Sequence, residues 1–151
     1  MPVLPAQVCW SIIQGMIVPQ RIPGLRFLTI LVAAYAVVWI ALEGMLWRVA
    51  LLGTGTALVG AGVVAQRWLG GRTFALPAWL ALSGALGTLV GFSSTVLTLL
   101  FMAMKTGLHA HGPEFSSQQI DWVFSQLPWW TTAGLLAGVG IGLVMAAAVR
   151  R

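Results

Sequence analysis

The stretch TFALPAWLALSGALGTLVGFSSTVLTLLFMAM, running from Thr73 to Met104, contains no charged residue. It exceeds the roughly 20 apolar residues that carry an α-helix across a bilayer. Within hydrocarbon, a helix satisfies every backbone polar group inside its own segment. The stretch therefore predicts a transmembrane helix over about 77–104, with Pro77 near its start and Lys105 closing it. Outward from it lie three more apolar runs. One covers about 27–46, edged by Arg26 and Glu43, and one about 47–65, bounded by Arg48 and Arg67. The last covers about 128–149 and ends in Arg150 and Arg151. The expected fold class is an all-α integral membrane protein, a single polytopic domain over residues 1–151 with four transmembrane helices.

Composition agrees. Hydrophobic residues make up 59% of the chain, charged residues 7%, and the mean hydropathy is +0.93. Soluble domains carry about a quarter charged residues, so this composition requires the lipid bilayer as a partner. The net charge of +5 invites a nucleic-acid interpretation, but the eight Lys and Arg stand singly or in pairs at the edges of apolar runs. That placement suits membrane anchoring, and nucleic acid is excluded as a partner. A single cysteine, Cys9, allows no intrachain disulfide, and it lacks the small residues expected before a lipid-modified cysteine. Residues 1–20 have no basic side chain and no small-residue cleavage site, so the N-terminus is expected to be retained.

Two amphipathic surface helices are expected as well. Near 5–18, Cys9, Ile12, Ile13 and Met16 recur at helical spacing between Pro5 and Pro19. Over 117–127, Ile120, Val123, Phe124 and Leu127 line one face. There Ser116 and Gln119 spell a capping box, and Phe115 with Ile120 a hydrophobic staple.

Charge sets the expected orientation. With four spans, one side holds Arg21, Arg26, Arg67, Arg72, Arg150 and Arg151 and no acid, while the other holds Arg48, Lys105 and all three acids. The positive-inside rule places both termini in the cytoplasm of a bacterial-type inner membrane. Trp47, Trp122, Trp129 and Trp130 are expected in the outer aromatic belt, and Trp10, Trp68 and Trp79 in the inner one. Small residues recur every four positions at Ser83, Gly87, Gly91 and Thr95, and again at Gly134, Gly138 and Gly142; Gly53, Gly55, Gly60 and Gly62 crowd the second span. Small residues let membrane helices approach closely, so the second to fourth helices are expected to form a tight cluster with the first at its edge.

Residues able to carry chemistry are few. In Lys105-Thr-Gly-Leu-His-Ala-His-Gly-Pro-Glu114, His109, His111 and Glu114 form a candidate metal-ligand set. Their simpler interpretation is interfacial polarity in a Gly/Pro turn. Glu43 is a candidate for an ion or proton path, although Arg48 or Lys105 stands ready to pair with it at the outer interface. Ser93, Ser94, Thr95 and Thr98 could line a polar route, but such hydroxyls more often bond to their own helix backbone. No nucleophile motif, phosphate loop or paired-carboxylate pattern is present, which argues against an enzyme, and no cofactor is implied.

The segment from Gly87 to Thr95 is similar to the third-helix region of dual-topology fluoride channels. Their Gly/Arg-rich opening and second-helix asparagine are absent here, and the charge asymmetry opposes dual topology. Small multidrug transporters place a glutamate mid-way along the first helix, whereas Glu43 stands near an end. The chain is assigned to neither family. The expected role is a non-catalytic accessory, assembly or scaffold subunit, partnered by other membrane subunits or by its own copies. The alternatives are an oligomeric transporter or channel for a small solute or ion, and metal handling by the outer loop.

Overall fold

The computed structural model describes residues 15–42, 44–108 and 114–149. Chain order is β1 (Met16–Ile17), α1 (Leu25–Ala41), α2 (Leu46–Val64) running into a π-helical turn at Ala65–Leu69, β2 (Thr73–Phe74), α3 (Leu76–Leu108), α4 (Ser117–Ser125) and α5 (Leu127–Val149). Apart from the β1–β2 pair, the regular elements are helices. Three segments, Leu46–Leu69, Leu76–Leu108 and Ser117–Val149, are long and apolar enough to cross a membrane, and α1 is a shorter apolar helix of 17 residues. At about 1.5 Å per residue α1 extends roughly 25 Å, a little under the ~30 Å hydrocarbon thickness, whereas α3 reaches roughly 50 Å. Large apolar side chains stand exposed along the helices, Phe27, Ile30, Val37, Leu136 and Val144 among them. In water such a surface would be an aggregation hazard; against lipid it costs nothing.

The expected elements are corrected in four places. The first span was expected to reach residue 46, but α1 ends at Ala41, and Leu42 is already extended at φ −90°, ψ 155°. The Lys105 ammonium takes the Trp39 and Leu42 carbonyls. Close by, Gly44 passes so near the Glu114 carboxylate that a Cβ would collide with it, and would crowd the Phe115 ring.

The second correction concerns the helix expected near 5–18. Residues 5–14 lie outside the described residues, and Met16–Ile17 is a strand antiparallel to Thr73–Phe74, with Met16 opposite Phe74. Pro19 disfavours helical backbone at Val18, and Met16 and Val18 point inward while Ile17 is exposed. That is the two-residue period of a strand. Val18 N–H donates to the Arg72 carbonyl (3.0 Å) and Gly71 N–H to the Val18 carbonyl (2.9 Å). Gly71 makes the turn possible at φ +79°.

Third, α4 stops at Ser125 rather than residue 127. Its expected capping box is formed: Ser116 Oγ accepts from Gln119 N–H (3.2 Å), and Gln119 Oε1 accepts from Ser116 N–H (2.9 Å). Gln126 then joins α4 to α5 with helix-like dihedrals, its N–H donating to the Trp122 and Val123 carbonyls.

Fourth, the second to fourth helices are not one mutual cluster. Packing is most extensive between α3 and α5 and next between α2 and α3, so α3 is the shared central helix. In contrast, α1 is joined more lightly to α2 and stands at the edge as expected. Glycines set these approaches. A Cβ on Gly87 would meet the Gly134 carbonyl, one on Gly91 the Trp130 carbonyl, and one on Gly138 the Ser83 carbonyl. On α2 the glycines divide: Gly53 lies against Ser94 and Thr98 of α3, whereas Gly55 meets Val32 and Gly62 meets Leu25 of α1. Trp79, expected in the inner belt, is instead buried, and its Nε1 donates to the Gly142 carbonyl at 3.0 Å.

Candidate functional site

One end of the bundle is organised around a single side chain. Lys105 belongs to the last turns of α3 and is 1% exposed, among the most enclosed residues described. A buried ammonium costs several kcal/mol unless its hydrogen-bond donors are satisfied. Here Nζ donates to the Trp39 carbonyl at 3.2 Å and to the Leu42 carbonyl, and lies 3.5 Å from Glu114 Oε2. It also stands 4.8 Å from the centroid of the Trp39 ring. A cation placed on the last carbonyls of α1 complements the negative end of that helix dipole.

Trp39 carries this site into an apolar cluster. Trp39, Val49, Leu52, Met102, Phe115 and Val123 form one buried cluster, with Phe101 tilted against Trp39 at 6.0 Å between ring centroids. Residues from α1, α2, α3, α4 and the segment before α4 thus share one buried cluster, and Lys105 meets it at Trp39. The ion pair lies in a low-dielectric setting, where charge interactions are stronger than at a wet surface.

The other candidates fall in distinct places. Ser94 and Thr98 are buried on α3, but their hydroxyls donate back along the helix to the Val90 and Ser94 carbonyls at 2.7 Å. Thr95 differs: its hydroxyl is buried and has no hydrogen-bond partner among the described residues. It faces a cavity of about 20 Å³, shared with Leu46, Thr98, Trp122 and Gln126. Arg48 is near the start of α2, its guanidinium 5.4 Å from the Trp47 ring and its carbonyl accepting from the Tyr35 hydroxyl at 3.1 Å. Glu43, His109 and His111 lie outside the described residues. Of the candidate metal set, Glu114 alone is described, and its carboxylate is engaged by Lys105.

Trp39 was missed from sequence. Its signal was present, since Trp39 lies inside an apolar run away from both expected belts, but a lone aromatic in a span gives no partner. The opposite end of the bundle carries Arg21, Arg26, Arg67 and Arg72, gathered there by the β1–β2 pair and by Ile22 N–H donating to Gln66 Oε1 at 3.1 Å.

In comparisons with known proteins, no family model matches the chain, and neither does any curated protein or solved structure.

Proposed function

We propose that this chain is a four-crossing membrane protein that serves as a non-catalytic accessory, assembly or scaffold subunit of a larger membrane complex. In this reading α1 is the first crossing, and the arginine-bearing end faces the cytoplasm of a bacterial-type inner membrane with both termini. The α4 segment lies along the outer surface, Trp122 and Phe124 exposed there.

The observation that carries this role is how the buried polar groups are used. Lys105, Ser94 and Thr98 each bond to backbone carbonyls of the bundle itself. A transport path needs polar groups that face a solute, whereas Lys105 ties α3 to α1 and the Ser94 and Thr98 hydroxyls are spent on the backbone of α3 itself. The test is solubilisation from native membranes in mild detergent. A particle containing a stoichiometric second membrane protein, or several copies of this chain, is the expected result. A monodisperse monomer overturns the proposal.

Thr95 supports a second reading, an oligomeric solute or ion transporter, because its buried hydroxyl has no partner among the described residues. Proteoliposome flux that is lost in Glu43→Gln, Ser94→Ala or Thr95→Ala would favour it; flux indifferent to all three would dismiss these residues.

A further inference from the structure

At the end of the bundle opposite Lys105, the segment between β1 and α1 folds over the π-helical turn and leaves an open cavity of about 410 Å³. Its walls include Arg21, Gly24, Arg26, Phe27 and Gln66. Two arginines thus line one hollow, on residues five positions apart in the chain. The Gln66 carbonyl oxygen is occupied by Ile22 N–H at 3.1 Å, which pins the wall and leaves the Gln66 amide NH₂ as a further donor. Of the first-turn amides of α1, Leu25 N–H is taken by the Ile22 carbonyl at 3.3 Å, whereas those of Arg26 and Phe27 have no acceptor within their own helix. No acidic residue occurs among the described residues before Glu114, and Glu114 is held by Lys105. The cavity is therefore rich in donors and poor in acceptors.

Its apolar border is equally distinct. Phe27 lines the cavity and is 71% exposed, and Ile17 and Trp68 at the same end are 66% and 71% exposed. A free anion has no use for these side chains. A phospholipid does: with its phosphate held by the two arginines, its acyl chains would run over Phe27 and the exposed Ile30 and Leu31 of α1. Arginine matches phosphate oxygens in a bidentate fork, and basic pockets on the cytoplasmic side of membrane helices hold anionic headgroups.

We infer that the Arg21–Arg26–Gln66 cavity is a binding site for the phosphate headgroup of an anionic phospholipid. The site requires that this end lie at a bilayer surface and does not depend on the accessory role.

The experiment is native mass spectrometry of the detergent-solubilised protein supplied with equimolar phosphatidylglycerol and phosphatidylcholine. Wild type is expected to retain phosphatidylglycerol preferentially. R21Q/R26Q should lose about tenfold of that preference, and R21K/R26K should keep part of it. R67Q/R72Q removes the same charge from the same end without touching the cavity, and should retain wild-type preference. Circular dichroism establishes that each variant keeps its helices, and the single variant R26Q repeats the comparison should the double variant unfold. Equal retention of the two lipids overturns the site. Equal weakening by the two arginine pairs also overturns it, because diffuse charge would then suffice. Displacement of the lipid by millimolar inorganic phosphate identifies a free-anion site and overturns the lipid assignment.

Discussion

Lys105 grips Trp39 twice: its ammonium donates to the Trp39 backbone carbonyl at 3.2 Å and stands 4.8 Å from the centroid of the same residue's indole ring. The two residues are 66 positions apart in the chain. One contact closes the C-terminus of α1, and the other uses the face of the ring as a soft counter-charge. With Glu114 at 3.5 Å, the ammonium ties α1, α3 and the segment leading into α4 to a single point.

Removing that point should be costly. Lys105→Met keeps the apolar stem but leaves two carbonyls and the Glu114 carboxylate without their cation, and about 3–5 kcal/mol of stability should be lost. The double variant Lys105→Met/Glu114→Gln should recover part of the loss, since the buried carboxylate is then neutral. Unfolding in a mixed-micelle denaturant series measures both together with Glu114→Gln alone, and single-variant losses that simply add in the double variant would show that the ion pair is not coupled.

Glycine positions should divide sharply. Gly87→Ala drives a methyl group into the Gly134 carbonyl and backbone, so α3 and α5 must separate, at a cost of about 1–3 kcal/mol. Gly60 and Gly140 have nothing within 4 Å of an added Cβ. Alanine at either should be neutral or stabilising by up to about 1 kcal/mol through higher helix propensity. Thermal midpoints of the three variants in one detergent give the comparison.

The buried hydroxyls on α3 should respond with opposite signs. Thr95→Val removes a buried hydroxyl that has no partner among the described residues, and should be neutral or raise stability by about 1 kcal/mol. Thr98→Val breaks a 2.7 Å bond to the Ser94 carbonyl against the close approach of Gly53, and should lower stability by about 0.5–1.5 kcal/mol. Denaturant titration of both valine variants reads the difference.

The capping box makes a local prediction. Ser116→Ala withdraws the acceptor for Gln119 N–H at an exposed helix start, with a cost of about 1 kcal/mol. Amide exchange at Gln119 and Ile120 should accelerate roughly fivefold while the α3 core is unchanged.

Much of the fold could be read before any coordinates. Apolar runs bounded by single charges located the long helices to within a few residues, because covering a helix with lipid-facing side chains is a property of one segment and needs no partner. The capping box was equally legible, since donor and acceptor stand three positions apart.

What lay beyond the sequence was every choice between distant partners. Nothing near Lys105 in the chain points to Trp39, 66 positions away, yet the structure seats the ammonium on that residue with Glu114 beside it. The segment ending at Pro19 carried a helical spacing, yet its last residues become a strand, because Thr73–Phe74 offers it a hydrogen-bonding edge. The glycine ladders announced close approach but not its direction; Gly53 faces α3 while Gly55, two residues later, faces α1. Periodicity and composition therefore determined which segments are apolar helices. Tertiary structure alone decided which faces meet and which charges pair, because those depend on the relative register of segments whose local energies are indifferent to it.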